Sequence, residues 1–171
     1  VALDSITAML VLKDGKIVFE TYQRGNTEKT RWMSMSIAKS ITSTLAAAAI
    51  KDGLIKGLDA QVVDYVPELK GSAYEGVTVR NVLMMSSGVK WNETYTDPAS
   101  DRRALLKAQI SQKPRSAMAL MASLPRAAEP GTANTYSTGE TQVLGEIVRG
   151  AVKMPLADYL SQKIWQPFGM E

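Results

Sequence analysis

The chain has 171 residues, of which 45% are hydrophobic and 22% are charged, a balance that suits one ordinary folded domain and argues against intrinsic disorder. Its net charge is only +3, and its basic residues are scattered among acidic ones, so neither nucleic-acid nor membrane binding is indicated. The chain contains no histidine and no cysteine. These absences exclude a Ser-His-Asp or Cys-His apparatus and a Cys/His zinc site within it. We expect no metal and no other cofactor.

The first predicted element is a β-hairpin formed by residues 5–12 and 16–23. The connecting Lys13-Asp14-Gly15 contains an Asp-Gly pair, which supplies the positive φ angles that a tight hairpin turn needs. The second run alternates in a way that predicts a half-buried strand. An isolated hairpin is marginally stable and has unpaired edges. We therefore expect strands outside this polypeptide, in a missing C-terminal segment or a second chain, to complete its sheet.

At least five helices are predicted after the hairpin, with no further strand. The first begins at Ser36, contains small and apolar residues, and ends at Asp52-Gly53; it is slim enough to be buried on most sides. Several turn signals follow between Gly57 and Gly71. The later helices are expected at residues 79–85, 101–110, 116–124, from about 138 to 152, and from 155 to before 167. We predict a hairpin domain over residues 1–30 and a helical domain over residues 31–171.

A Ser-x-x-Lys motif, Ser36-Ile37-Ala38-Lys39, stands at the start of the long helix. Residues three apart share a helical face, so the amine of Lys39 can reach the Ser36 hydroxyl beside the positive end of the helix dipole. Lysine acts as a base only where its surroundings lower its pKa. The alternative is an ordinary N-cap serine with a solvated lysine. A second motif, Ser87-Gly88-Val89-Lys90, lies at a predicted helix end, where its serine and lysine would not share a face.

A loop tyrosine is the second candidate for catalysis. Tyr136 follows the Pro130-Gly131 turn and precedes a helix, a setting in which rigid neighbours often hold catalytic groups. A tyrosine beside a cationic lysine has a lowered pKa and can accept a proton from a serine. The alternative is a tyrosine that anchors the loop by its ring. Tyr159 also stands two positions before a serine, but it falls inside a predicted helix, which favours core packing.

Four segments together resemble the serine β-lactamase-like family. This family includes class C β-lactamases, D-Ala-D-Ala peptidases, carboxylesterases and 6-aminohexanoate-dimer hydrolases. The resemblance follows the family's order over nearly the whole chain, in residues 32–40, 79–88, 136–148 and 164–170. Residues 95–100 and the Ser-Thr-Gly-Glu run after Tyr136 are most similar to the esterase and nylon-oligomer hydrolase branch.

The resemblance implies an α/β fold, with the hairpin in an antiparallel sheet and a helical domain attached. It implies that Ser36 attacks a carbonyl carbon, that Lys39 and Tyr136 share the proton transfers, and that the backbone N–H of Ser36 supplies half of an oxyanion hole. The family's third motif, Lys-Thr-Gly or His-x-Gly on a downstream strand, does not occur in this sequence. We therefore expect the chain to be a fragment that lacks the C-terminal strands.

The resemblance also implies substrate-binding residues at Thr138, Tyr95, Trp91 and Glu140. Thr138 stands where β-lactamases of this group usually have an asparagine that binds the substrate amide. This departure argues against efficient β-lactam hydrolysis. For Trp91 and Tyr95, an exposed aromatic loop is an equally good interpretation.

Three functional hypotheses stay open at this point. The first is a serine hydrolase that cleaves carboxylic esters or small amides through an acyl-enzyme. The second, also an enzyme, is a β-lactamase or D,D-peptidase. The third is a non-catalytic relative that keeps the scaffold as a binding module.

Overall fold

The fold comes from a computed structural model that describes residues 5–170. The chain divides into two compact units, with the division between Met35 and Ser36. The assignment of residues 1–30 and 31–171 to two domains stays a prediction.

The first unit contains the predicted hairpin. Strand β1, Ala8–Lys13, pairs antiparallel with strand β2, Lys16–Tyr22, and the register shifts once between Val11 and Leu12. Asp14 and Gly15 have φ angles of 53° and 74°, as expected for an Asp-Gly hairpin turn. The hairpin prediction is confirmed.

Burial of this hairpin differs from the prediction. Residues 16–20 of β2 are all exposed, and so are consecutive apolar residues of β1 from Met9 to Leu12. The prediction that β2 is half-buried is therefore wrong for this chain. The described part of this unit holds a single two-stranded sheet and no second layer that could cover it.

The second unit is helical. The first five predicted helices are confirmed within two residues at each end, the last one starts at 156 rather than 155, and no further strand occurs among residues 36–170 beyond two isolated bridges. The helices are α1 (Ile37–Lys51), α2 (Val62–Tyr65), α3 (Val79–Leu83), α4 (Asp101–Ile110), α5 (Ser116–Ser123), α6 (Thr138–Val152) and α7 (Leu156–Leu160). A 3₁₀ turn over Pro67–Leu69 follows α2, and a π-helical turn over Ser161–Trp165 extends α7. None of the helices in the described part is long and apolar enough to cross a membrane.

Helix α6 lies at the centre of the core of this unit. Eight of its residues are buried, and the core around it includes Tyr74, Val79, Val82, Met121 and Tyr159. Gly150 allows a close approach, since a Cβ atom there would lie 2.1 Å from the backbone oxygen of Tyr65. The packing thus fixes where the N-terminal end of α6 lies.

Helix α1 is buried only in its C-terminal half, through Leu45, Ala46 and Ala49. Ser36, Ile37 and Ala38 at its start are exposed. The prediction that this helix is buried on most sides is therefore wrong for its first turns, because no residue of the helix before Leu45 is buried. The N-terminal turn presents its side chains at an accessible surface.

Candidate active site

The start of α1 brings the Ser-x-x-Lys pair together. Ser36 occupies the N-cap position, but its backbone is helical (φ −74°, ψ −4°) and its side chain makes no capping hydrogen bond. Its Oγ lies 3.0 Å from the phenol oxygen of Tyr136 and 3.3 Å from Nζ of Lys39, which donates to it. The Ser36 hydroxyl therefore does not cap the helix and is instead hydrogen-bonded to the other two candidate catalytic residues, Tyr136 and Lys39.

Tyr136 lies in the loop before α6, and hydrogen bonds fix this loop at both sides. The N–H of Thr135 donates to the carbonyl of Met85 at 2.8 Å, and the side chain of Asn134 donates to the carbonyl of Met84 at 2.7 Å. On the other side Ser137 caps α6, its Oγ accepting from the N–H of Glu140 at 3.2 Å. The phenol is thus held by rigid neighbours, as the sequence predicts.

The surroundings of Tyr136 lower the pKa of its phenol. The hydrogen bond with Ser36 lowers its pKa, burial opposes this, and the hydrogen bond and positive charge of Lys39 lower the pKa further, to a net value below 10.0. The Lys39 ammonium lies 5.2 Å from the centre of the tyrosine ring. The negative charge of Glu93 acts in the opposite direction.

Thr138 connects Lys39 to a carboxylate that the sequence analysis did not single out. Nζ of Lys39 donates to Oγ1 of Thr138 at 3.4 Å, and the same hydroxyl donates to Oε1 of Glu93 at 2.5 Å. The backbone N–H of Thr138 donates to the other oxygen of Glu93 at 2.9 Å. Glu93 therefore belongs to the cluster, one hydroxyl away from the lysine.

Glu93 receives two further hydrogen bonds, from the aromatic residues on either side of it. Tyr95 donates through its hydroxyl at 3.0 Å, and Trp91 donates through its indole N–H. Partial burial raises the pKa of Glu93, but these four hydrogen bonds together hold it below 4.5. An acidic residue two positions from an aromatic residue on each side was the available signal in the sequence.

The structure brings Trp91 and Tyr95 to the cluster through Glu93. The Trp91 ring lies against helix α6 where Gly139 leaves room, since a Cβ atom there would lie 2.8 Å from the ring. Tyr95 is half exposed, and Arg102 lies over its ring at 5.6 Å from the ring centre. Trp91 is thus fixed by packing, while Tyr95 is accessible.

Glu140 does not lie at this surface, so its assignment to the cleft is corrected. It is 3% exposed, and its Oε1 accepts hydrogen bonds from the hydroxyls of Tyr74 and Ser87, each at 2.8 Å. Residues two apart on a helix point to different sides, which separates it from Thr138. Burial raises the pKa of Glu140 to about 7, although both hydrogen bonds lower it.

The two competing motifs have structural roles. Ser87 of the second Ser-x-x-Lys motif is buried against Glu140, and its chain turns at Gly88, where φ is 77°. Tyr159 is buried in α7 and its hydroxyl donates to Asp52 at 2.9 Å. The structure therefore agrees with the prediction that neither Ser87 nor Tyr159 belongs to the candidate site.

Comparison with known proteins identifies the family. A family model described as Beta-lactamase matches residues 7–171. The chain belongs to this family. Members of the family are serine hydrolases, and the resemblance seen in the sequence is confirmed. The two-stranded antiparallel sheet and the helices fit part of this α/β fold.

Three relatives show how the similarity is distributed. The 6-aminohexanoate-dimer hydrolase of Paenarthrobacter ureafaciens is 33% identical over 164 residues, 92% of this chain and 41% of its own length. The D-aminopeptidase of Brucella anthropi is 25% identical over 175 residues, 96% of this chain and 31% of its own length. The crystal structure of a class C beta lactamase has a TM-score of 0.75 and 26% identity, and the match covers 98% of this chain and 46% of that one. The chain thus spans less than half the length of each of these relatives.

Proposed function

We propose that this chain carries the nucleophile and the proton-transfer groups of a serine hydrolase that cleaves esters or small amides through an acyl-enzyme. The strongest support comes from the Ser36 hydroxyl, which makes no capping hydrogen bond to α1. Its Oγ lies 3.0 Å from the phenol oxygen of Tyr136 and 3.3 Å from Nζ of Lys39. A nucleophile within hydrogen-bonding distance of its base is the arrangement that acyl transfer needs.

In the proposed reaction Ser36 is the nucleophile and Tyr136 and Lys39 are the catalytic acid and base. Oγ of Ser36 bonds to the carbonyl carbon while its proton passes to the Tyr136–Lys39 pair, and the carbonyl oxygen becomes an oxyanion. The oxyanion collapses, the bond to the alcohol or amine breaks, and this leaving group takes the proton. Water then attacks the acyl-enzyme, releases the acid and restores the Ser36 hydroxyl. The backbone N–H of Ser36 is one proposed donor to the oxyanion.

We propose an amide or ester of a small linear acid as the substrate class. The supporting observations are the 33% identity to a 6-aminohexanoate-dimer hydrolase and the threonine at position 138. A β-lactamase or D,D-peptidase is the second candidate, favoured by the similarity to a class C beta lactamase. An asparagine at position 138 would offer a hydrogen-bond donor to a substrate amide, whereas the hydroxyl of Thr138 already donates to Glu93. This difference ranks the ester and linear-amide class first.

Covalent labelling tests the nucleophile directly. A fluorophosphonate should form an adduct with Ser36, located by mass spectrometry of the digested protein. The matched control is Ser40→Ala, which removes another exposed serine of α1 and should leave labelling intact. Absence of any adduct would reject the proposed nucleophile and favour the non-catalytic binding module.

A substrate panel separates the two enzymatic candidates. We expect the whole protein to hydrolyse a p-nitrophenyl ester and the linear 6-aminohexanoate dimer faster than nitrocefin, compared by kcat/KM. Faster turnover of nitrocefin would move the assignment to the β-lactamase class.

We also propose that strands outside this chain, in a further segment or a second polypeptide, pair with the hairpin. Apolar side chains of both strands are exposed, among them Leu10, Leu12, Ile17, Val18 and Phe19, and both outer edges of the sheet offer unpaired backbone groups. Hydrogen exchange of the whole protein should show slow exchange for the outward-facing amides of β1 and β2. Fast exchange of these amides would contradict the proposal.

A further inference from the structure

We propose that Glu93 is a positioning residue of the hydrolase: it fixes the Thr138 hydroxyl as a hydrogen-bond acceptor for Lys39 and thereby holds the amine toward Ser36. This inference rests on the proposed function, since it assigns a role within the same reaction. Glu93 acts through Thr138 and does not itself touch the reacting atoms.

The first step of the inference is the saturation of the Glu93 carboxylate. Its Oε1 accepts from the hydroxyls of Thr138 and Tyr95, at 2.5 Å and 3.0 Å. Its Oε2 accepts from the backbone N–H of Thr138, at 2.9 Å, and from the indole N–H of Trp91. Two carboxylate oxygens with four donors have little capacity left for a substrate group, so a direct role in binding substrate is not favoured.

The second step is the position of the proton on Thr138. An ionised carboxylate only accepts hydrogen bonds, and a threonine hydroxyl has a single proton. The hydrogen bonds to Glu93 favour its ionised form, so the Thr138 proton points to Glu93. The lone pairs that remain on Oγ1 face Nζ of Lys39 at 3.4 Å. The hydroxyl can therefore only accept from the lysine, and its orientation is fixed by the carboxylate.

The third step is what this hydroxyl does for the lysine. Nζ of Lys39 also donates to Oγ of Ser36 at 3.3 Å, so Thr138 and Ser36 together define where the amine lies. No ion pair within 4.0 Å joins Lys39 to a carboxylate in residues 5–170. A direct ion pair would favour the charged amine strongly, and the intervening hydroxyl orients the amine while it keeps the carboxylate at a greater distance.

The variants Glu93→Gln and Thr138→Val test this chain of contacts. Glu93→Gln introduces an N–H₂ group that can donate to Thr138 and so reverse the orientation of its hydroxyl, whereas Thr138→Val removes the hydroxyl while keeping the side-chain shape. We expect each to slow acylation of Ser36 by a fluorophosphonate about 10- to 100-fold, as for a misplaced catalytic group. The matched control is Glu129→Gln, at an exposed carboxylate outside the cluster, which should leave the rate unchanged.

The double variant decides whether Glu93 acts through Thr138. If it does, the double variant should be no slower than the slower single variant, because the effects of coupled residues are not additive.

The pH profile gives a second readout. The charged or titratable groups facing Tyr136 are Lys39, Glu93 and Tyr95. Loss of the Glu93 charge should therefore move the acidic limb of the acylation profile to lower pH in Glu93→Gln, whereas Thr138→Val should leave the limb in place.

The outcomes separate the two proposals. Wild-type protein without a Ser36 adduct would overturn the proposed function and this inference together. A labelled wild type with an unchanged rate in Glu93→Gln, or a double variant whose loss is the product of the two single losses, would overturn the inference alone. Thermal unfolding checks that each variant is folded. If Glu93→Gln does not fold, Thr138→Val carries the test, and a wild-type rate in it would overturn the inference.

Discussion

Helices α1 and α6 are both 15 residues long, and a serine stands at the N-cap position of each. Ser137 has an extended backbone (φ −142°, ψ 117°), is buried, and uses its hydroxyl to cap α6. Ser36 has a helical backbone, is exposed, and makes no capping bond. The backbone conformation thus separates a structural serine from one whose hydroxyl is available, although both occupy the same position relative to a helix.

The two helices also differ in what surrounds their first turns. Helix α6 is buried from Gly139 and Glu140 onward, whereas α1 is first buried at Leu45. Buried α6 fixes the position of Tyr136 and Thr138, and the open end of α1 presents Ser36 and Lys39 to them. The candidate site therefore combines a rigid side with an accessible one, which is how reactive groups are commonly arranged on a scaffold.

The largest expected effect comes from Ser36→Ala. The variant should lose esterase activity by about 10³-fold or more, because the nucleophile is removed, while its free energy of unfolding should change by less than about 0.5 kcal/mol, since no cap is lost. Activity on a p-nitrophenyl ester and urea unfolding measure the two quantities. Full activity, or a loss of stability typical of a helix cap, would contradict the contrast between the two serines.

The next largest effect is the pH dependence that Glu140 gives to α6. In the folded protein its pKa is raised from 4.5 to about 7, so the folded state holds a proton that the unfolded state releases between these values. The free energy of unfolding should therefore fall by roughly 3 kcal/mol as pH rises through this range. Glu140→Gln should remove this slope, measured by urea unfolding at pH 4, 5.5 and 8, whereas exposed Glu129→Gln should retain it. An unchanged slope in Glu140→Gln would show that other groups cause it.

A pair of glycine–alanine exchanges tests the difference in packing. Gly150→Ala in α6 should lower the free energy of unfolding by about 1–3 kcal/mol, because the added methyl group meets the backbone oxygen of Tyr65 at 2.1 Å and overpacking outweighs the better helix propensity. At exposed positions of α1 alanine is the preferred residue instead, so Ala47→Gly should lower the free energy of unfolding by about 1 kcal/mol. Thermal unfolding of both variants measures this, and a stabilised Gly150→Ala protein would contradict the close approach.

The smallest effect expected is that of Ser137→Ala. Loss of the hydrogen bond from the Glu140 N–H to the Ser137 hydroxyl should lower the free energy of unfolding by about 1 kcal/mol, as for other N-cap serines. The same urea titration as for Ser36→Ala provides the comparison. Equal stability of the two variants would remove the distinction between a capping and a non-capping serine.

Local signals account for the parts of the fold that the sequence predicts well. The Asp14-Gly15 turn and the bounds of α4 depend on residues that favour these conformations by themselves. Helix α2, Val62–Tyr65, is a single turn between turn-forming residues and has no periodic pattern to reveal it. Exposure of β2 and of the start of α1 depends on partner surfaces, which a local pattern does not contain.

The same distinction applies to the candidate site. The Ser36, Lys39 and Tyr136 side chains could be predicted to meet, because two share a helical turn and the third belongs to a recognisable family motif. For Glu93 the aromatic residues on either side are a local signal, but a lone acidic residue in a loop usually faces solvent, and this signal does not reveal its distant partner Thr138. The family resemblance assigns Glu140 to the cleft, but a step of two residues along the helix from Thr138 turns its side chain away from the cluster.

Thr138 donates its hydroxyl proton to Glu93. Its oxygen can therefore only accept hydrogen bonds from other groups, as a carbonyl oxygen does. A molecule that offers only lone pairs at this point gains nothing, whereas one that offers an N–H group can complete the coordination of the oxygen. The amine of Lys39 already provides that N–H group, so we expect Thr138 to hold this amine in place rather than to select among substrates.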